Sequence, residues 1–190
     1  MTANGHTSTL YEQILNLRVQ HVRQSHRRDQ TAISAHSAAW LCDTLNIFPQ
    51  LYNVLDLGSG FSTWVLRAFT RAHIVTVDHS AQWLRHTRNE LHALGLPTRD
   101  MYELSDFIEN HANEKFDLVF VDMGDTALRR QYFEAFLHWT APGGLLVFDD
   151  WHMHHLREPL TIKLQQRGLS VVEIPETLDQ YGRFLAMVRV

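Results

Sequence analysis

Cys42 is the one cysteine among 190 residues. No internal disulfide and no multi-cysteine zinc site can be built from it, and a single thiol suits a reducing compartment. Lysine is nearly absent, with Lys115 and Lys163 alone, and the Lys and Arg total of 17 falls short of 21 Asp and Glu, for a net charge of −4. A chain that lives on phosphate backbones carries a basic excess, so nucleic acid is disfavoured as a partner. No apolar run approaches the roughly 20 residues of a membrane span, and no charged-then-apolar leader opens the chain. The expected location is cytoplasmic, with no membrane partner. Repeats and low-complexity tracts are absent as well. What is present is a globular balance, 45% apolar and 20% charged, at a length that suffices for one α/β domain. Histidine is plentiful, at thirteen residues.

Two helices are predicted first, over 9–24 and 30–46, the second stopped by Pro49. The polar stretch between them holds Arg23, His26, Arg27 and Arg28, read as a solvated basic loop or, less simply, as a contact for an anionic acceptor. From residue 52 short β-rich runs alternate with helical stretches. Strands are expected at 53–57, 74–78, 99–103, 118–122 and 145–149, with helices over 62–70, 80–94, 106–113, 126–139 and 153–167. Nearly continuous apolar strands separated by helices specify βαβ units and one doubly wound parallel sheet. Residues 170–174 and 184–190 form two more strands. The nine or so residues between them are too few for a crossover, so the last strand should run antiparallel.

The most informative segment is Val54-Leu55-Asp56-Leu57-Gly58-Ser59-Gly60-Phe61-Ser62. A strand ends in a glycine turn that opens a helix, where free N–H groups can receive an anion and glycine lets a ligand approach the backbone. A dinucleotide site would place a third glycine where Thr63 stands. Asp56 at the strand end would attract an ammonium, which together with a carboxylate describes an amino-acid moiety. Asp78 in Val77-Asp78-His79 lies about 20 residues after the turn, the spacing of a ribose-binding carboxylate, although a helix cap is an equal reading. Ser105 and Asp106, after the third strand, could receive an adenine amino group or cap a short helix.

Together these segments resemble the class I S-adenosylmethionine-dependent methyltransferases over residues 53–190, including Asp122 at the end of strand four and Pro142-Gly143-Gly144 before strand five. The resemblance implies a Rossmann-like, seven-stranded sheet with the last strand antiparallel. It divides the chain into an N-terminal helical extension, 1–50, and a cofactor-binding domain, 51–190. It implies that Asp56, Gly58, Ser59 and Gly60 hold the methionine end of S-adenosylmethionine, that Asp78 holds its ribose and that His79 lies beside the adenine. Gly60-Phe61-Ser62 is similar to the glycine–aromatic–serine turn of the catechol and caffeoyl-CoA O-methyltransferases, which implies that Ser62 contacts the cofactor carboxylate. Those enzymes hold a divalent cation with an aspartate after strand four and an Asp-Asn pair after strand five. Asp122 and Asp149-Asp150 stand at those places, with Asp150 replacing the Asn, and Asp125 stands where the family has its catalytic lysine. Three carboxylates gathered there would repel one another unless a proton or a cation intervenes, and oxygen ligands favour magnesium or manganese. The catalytic candidates are Asp122, Asp149 and, as substitute bases, His152 and His154.

The expected activity is methyl transfer to a small molecule, with oxygen as the favoured acceptor and divalent-metal assistance. The rivals are a metal-free N-methyltransferase whose aspartates bind an amine, and a non-catalytic cofactor-binding module. Asp122-Met123-Gly124-Asp125 stands where amino-group DNA methylases carry an Asn/Asp-Pro-Pro-aromatic tetrapeptide. Trp40, Trp64 and Trp83 are expected in packing and Trp151 at the acceptor rim. A homodimer is compatible with all of this.

Overall fold

A computed structural model describes residues 9–25 and 32–190, with side chains over 9–21 and 32–190. Arg23, His26, Arg27 and Arg28 therefore lie outside the described side chains. The chain runs α1 (Leu10–Ser25), α2 (Ala35–Ile47), β1 (Asn53–Leu57), α3 (Phe61–Phe69), β2 (His73–Asp78), α4 (Ala81–Ala93) and β3 (Met101–Glu103). There follow α5 (Leu104–His111), β4 (Phe116–Val121), α6 (Thr126–Gln131), α7 (Phe133–Trp139), β5 (Thr140–Phe148), α8 (His154–Gln165), β6 (Val171–Ile174) and β7 (Leu185–Arg189). The seven strands form one sheet in the order β3-β2-β1-β4-β5-β7-β6. The first five are parallel, and β7 runs antiparallel to both β5 and β6, as the short last connection requires. The fold is α/β and Rossmann-like.

Strand alternation divides the core. On one face Leu55, Leu57, Val75, Val77, Val119 and Val121 pack with Phe107, Phe136 and Leu160 of the helices. On the other, Val54, Ile74, Leu118, Phe120 and Val147 meet α2 and α3 through Leu41, Phe61 and Val65. Cys42 is buried in this second layer, where desolvation, reinforced by Asp43, pushes its thiol up to about 12. It is a packing residue.

Three elements depart most from the sequence reading. The helix expected over 30–46 begins at Ala35, because Ser34 caps it by accepting from Ser37 N–H. The helix expected over 126–139 is two, because Tyr132 leaves helical geometry at ψ 9° between α6 and α7. Strand five begins at Thr140, so Pro142-Gly143-Gly144 lies inside it, beside a register shift between Phe116 and Leu118 of β4.

Register positions the site. Leu57 is level with Val77 and Val121, and Val121 with Phe148. Gly58, Asp78, Asp122 and Asp149 therefore emerge side by side at the carboxyl edge, where open α/β sheets bind ligands. The backbone ladder continues past the strands: Gly58 N–H donates to Val77, Asp122 N–H to Leu57 and Asp149 N–H to Val121.

Candidate active site

A cavity of about 770 Å³ opens at this edge, within the roughly 300–1,000 Å³ of small-molecule sites. The turn from Gly58 to Ser62 forms one wall, Asp78 and His79 a second, and Asp122, Asp149, Asp150 and His152 a third. Ala32 and Ile33 close it from the N-terminal side. Sequence reasoning thus brings eleven of its candidates together.

Gly58 and Gly60 hold positive φ, +117° and +154°, in regions that favour glycine. Their reasons differ. A Cβ on Gly58 would stand 2.8 Å from the Asp122 carbonyl carbon and the Met123 nitrogen, so this glycine admits the loop after β4. A Cβ on Gly60 would meet only the Trp83 side chain, at 3.6 Å. Gly60 lines the cavity, and its bare backbone leaves room for a ligand there.

Asp56 does not line the cavity, which corrects its expected role as an ammonium contact. It shares the β1 face of Val54, so its carboxylate points under α3. There it accepts from Ser62 Oγ at 3.0 Å and Thr63 Oγ1 at 2.6 Å. Thr63, in the third-glycine position, ties α3 to β1. Burial pushes Asp56 up to about 6, against these two hydrogen bonds and the Arg67 charge. Ser62 lines the cavity but spends its hydroxyl proton on Asp56 and Gly58 O.

Asp78 is buried and accepts from Ser59 N–H and Oγ, each at 2.8 Å, and from Ser80 N–H at 2.8 Å. It does not cap α4; Ser80 does. Asp78 keeps further acceptor capacity on the cavity side. The Trp83 indole N–H donates to Ser59 O and its ring lines the cavity, so this tryptophan is a site residue. Ser105 and Asp106 are exposed on the first turn of α5 and outside the cavity lining. The α5 N-cap is Glu103, without a side-chain bond, so Asp106 is not the cap either.

Asp122, Asp149 and Asp150 converge, with one oxygen from each lying within 4.8 Å of the others. Asp150 has φ +58°, a left-handed conformation that short Asp and Asn side chains tolerate best. The N-cap of α8 is Met153, so Asp149-Asp150 is not a helix cap. Burial, then the Asp149 charge, raises Asp122 well above the carboxylate range, opposed by Arg129. Burial, then the Asp150 charge, raises Asp149 to about 7, again opposed by Arg129.

Arg129, which sequence reasoning passed over, sits among these carboxylates. Its Nη2 donates to Asp122 Oδ1 at 3.1 Å and Asp150 Oδ2 at 3.3 Å. The sequence did carry a signal for it. Asp125, in the place of the family's lysine, caps α6 by accepting from Leu128 N–H at 2.8 Å. The capped helix carries Arg129 back to the strand ends. The carboxylate cluster has the hard-oxygen chemistry of a magnesium or manganese site, but the buried guanidinium of Arg129 already bonds one oxygen of Asp122 and one of Asp150, so an ion there would stand against a fixed positive charge. As the residues stand, a divalent ion does not fit.

The two histidine candidates separate. His152 lines the cavity, and its buried Nδ1 has no hydrogen-bond partner. His154 is 74% exposed on α8, facing Glu158 at 3.6 Å, outside the cavity lining. Trp151 is buried against Phe148, in the core and not at the rim. Among the described residues no helix is long and apolar enough to cross a membrane.

A family model described as a methyltransferase domain matches residues 55–151. No curated protein sequence matches the chain. Among solved structures, the O-methyltransferase TomG of Streptomyces achromogenes, in complex with SAM, superposes with a TM-score of 0.69 at 17% identity, over 93% of this chain and 89% of that one. An O-methyltransferase of Bacillus cereus, in complex with SAH, gives 0.68 at 17% identity, over 99% and 94%. A putative caffeoyl-CoA O-methyltransferase of Staphylococcus aureus gives 0.70 at 12% identity, over 97% and 94%. At these identities the superpositions establish the shared fold.

Proposed function

The chain belongs to the methyltransferase-domain family, and from that premise we propose that it transfers methyl from S-adenosylmethionine to a hydroxyl oxygen of a small molecule. The observation that carries the reading is the level ending of β1, β2, β4 and β5. It supports the reading by bringing the Gly58–Ser62 turn, Asp78 and the Asp122, Asp149, Asp150 and His152 side chains to one cavity. A cytoplasmic location belongs to the same reading, as does the division into a helical extension, 1–50, and a cofactor-binding domain, 51–190.

The cavity fits the cofactor on three features of this chain. Gly60 leaves its backbone bare where a ligand would pass. The first turn of α3 offers N–H groups to a carboxylate. Asp78 can accept from ribose hydroxyls, with His79 and Trp83 flanking it. When bound, the cofactor supplies an electrophilic methyl on a sulfonium, so no covalent enzyme intermediate is needed. The remaining work falls to the protein: align the acceptor and remove its proton. Asp122 and Asp150 line the cavity, 22% and 18% exposed, and orient the acceptor hydroxyl. His152 takes the proton, its ring at the cavity wall and its chemistry suited to neutral pH.

Product analysis with methyl-labelled S-adenosylmethionine and a panel of phenols, alcohols and amines tests the reading. The expected result is label on oxygen. His152→Asn should lower kcat by about 10²–10⁴-fold, whereas His154→Asn should leave it unchanged. Label on nitrogen alone would move Asp122 and Asp150 to amine recognition. Full kcat in His152→Asn would remove it as the base.

A further inference from the structure

We propose that Arg129 is the resident cation of this site. Its guanidinium orients the carboxylates of Asp122 and Asp150 and offsets the charge of the cluster they form with Asp149, in place of a divalent ion, and methyl transfer here is independent of divalent metal. The proposal rests on the methyltransferase reading for its chemistry and on the Arg129 contacts for its geometry.

Four hydrogen bonds define the arrangement. Nε donates to Met123 O at 3.1 Å and Nη1 to Asp149 O at 3.2 Å, while Nη2 serves Asp122 Oδ1 and Asp150 Oδ2. The two carbonyls lie just beyond β4 and β5, so the guanidinium is fixed to the sheet edge as well as to the acids. Arg129 is 4% exposed. A guanidinium does not deprotonate in proteins, so its charge is permanent, and its planar fork suits two carboxylates and two carbonyls at once. An ion bridging Asp122 and Asp150 would either take their bonded oxygens from Nη2 or share the two carboxylates with it. Either way it would set a second cation beside a buried guanidinium whose charge already serves those acids, an arrangement that burial penalises.

This narrows how the acceptor is chosen. A divalent ion selects acceptors by chelating two adjacent oxygens. Around Arg129, Asp122 and Asp150 meet the acceptor through hydrogen bonds alone, so one O–H suffices and a vicinal pair is not required. The acceptor class is a polar molecule with a single donor hydroxyl at the reacting position.

The test is titration of Mn²⁺ into the full-length protein, followed by electron paramagnetic resonance of the free ion, which needs no turnover. Wild type should leave the free signal unchanged. Arg129→Met, which keeps the aliphatic stem and removes the charge, should withdraw one equivalent of Mn²⁺, and adding Asp149→Asn should release it. With a monohydroxylated acceptor, EDTA should leave wild-type turnover unchanged. Withdrawal of one equivalent by wild type would overturn the proposal, and so would a folded Arg129→Met that withdraws none. Should Arg129→Met fail to fold, the wild-type titration decides alone. A wild-type protein that binds Mn²⁺ leaves the methyltransferase reading standing. A protein that turns over no acceptor leaves the Mn²⁺ result standing.

Discussion

Asp56 shows how strand parity overrides a motif at the scale of the residue. The glycine-turn motif places an acidic residue at the end of β1, where it reads as a ligand contact. Because Asp56 follows Leu55, which faces the α5–α8 layer, it must face α3, and it is sealed there by Ser62 and Thr63. Burial makes it a folded-state acid near pH 6 against an ordinary 3.8. A raised carboxyl favours the folded state while protonated. Its contribution is fully present below about pH 3.8 and is lost as pH rises through about 6. Asp56→Asn has no such loss. In urea unfolding between pH 4 and 7, the stability of the variant relative to wild type should therefore improve by about 2 kcal/mol. A constant difference across that range would mean that Asp56 is not protonated by burial. Arg129 makes the complementary point. A charged side chain within the helix expected over 126–139 looks solvated in sequence, and only the Asp125 cap, which starts the helix at the end of β4, hints at where it lies.

Elements were legible where periodicity was strong. β1 falls on the predicted residues, and α1, α3, α4 and β2 begin and end within about a residue of expectation. Legibility failed where tertiary contacts set the limits. Tyr132 breaks the predicted 126–139 helix, so that α6 can hold Arg129 to the strand ends while Phe133 and Phe136 of α7 enter the core. The glycine turn was legible as a motif, but not the division of labour within it. Gly58→Ala places a methyl against the Asp122–Met123 backbone, which cannot give as a side chain can. It should cost about 1–3 kcal/mol, at about 2–4 °C of Tm per kcal/mol in a chain of this size. Gly60→Val also strains a positive-φ backbone but meets only the Trp83 side chain, so cofactor binding should disappear while the Tm loss stays no larger than that of Gly58→Ala. A larger Tm loss with binding retained in Gly60→Val would contradict this assignment of roles.

At the scale of the whole molecule, the site is a consequence of register. Gly58, Asp78, Asp122 and Asp149 are distant in sequence and adjacent in space because four parallel strands end level. That alignment was implied by apolar runs each closing on a glycine or an aspartate, so eleven site residues could be named from sequence. Of the other cavity walls, Ala32 and Ile33 were expected inside the helix over 30–46, which begins only at Ala35, and Tyr181 and Arg183 come from the connection before β7, without periodicity or motif; these became visible only in three dimensions. Calorimetric titration of S-adenosylhomocysteine into the folded protein tests the central claim, that this edge is a methyltransferase cofactor site. One equivalent should bind in the low- to mid-micromolar range, about −7 kcal/mol, and Asp78→Ala should weaken it by about 1.5–3 kcal/mol. Folded wild-type protein that gives no binding heat, or an Asp78→Ala variant that binds as wild type does, would contradict it.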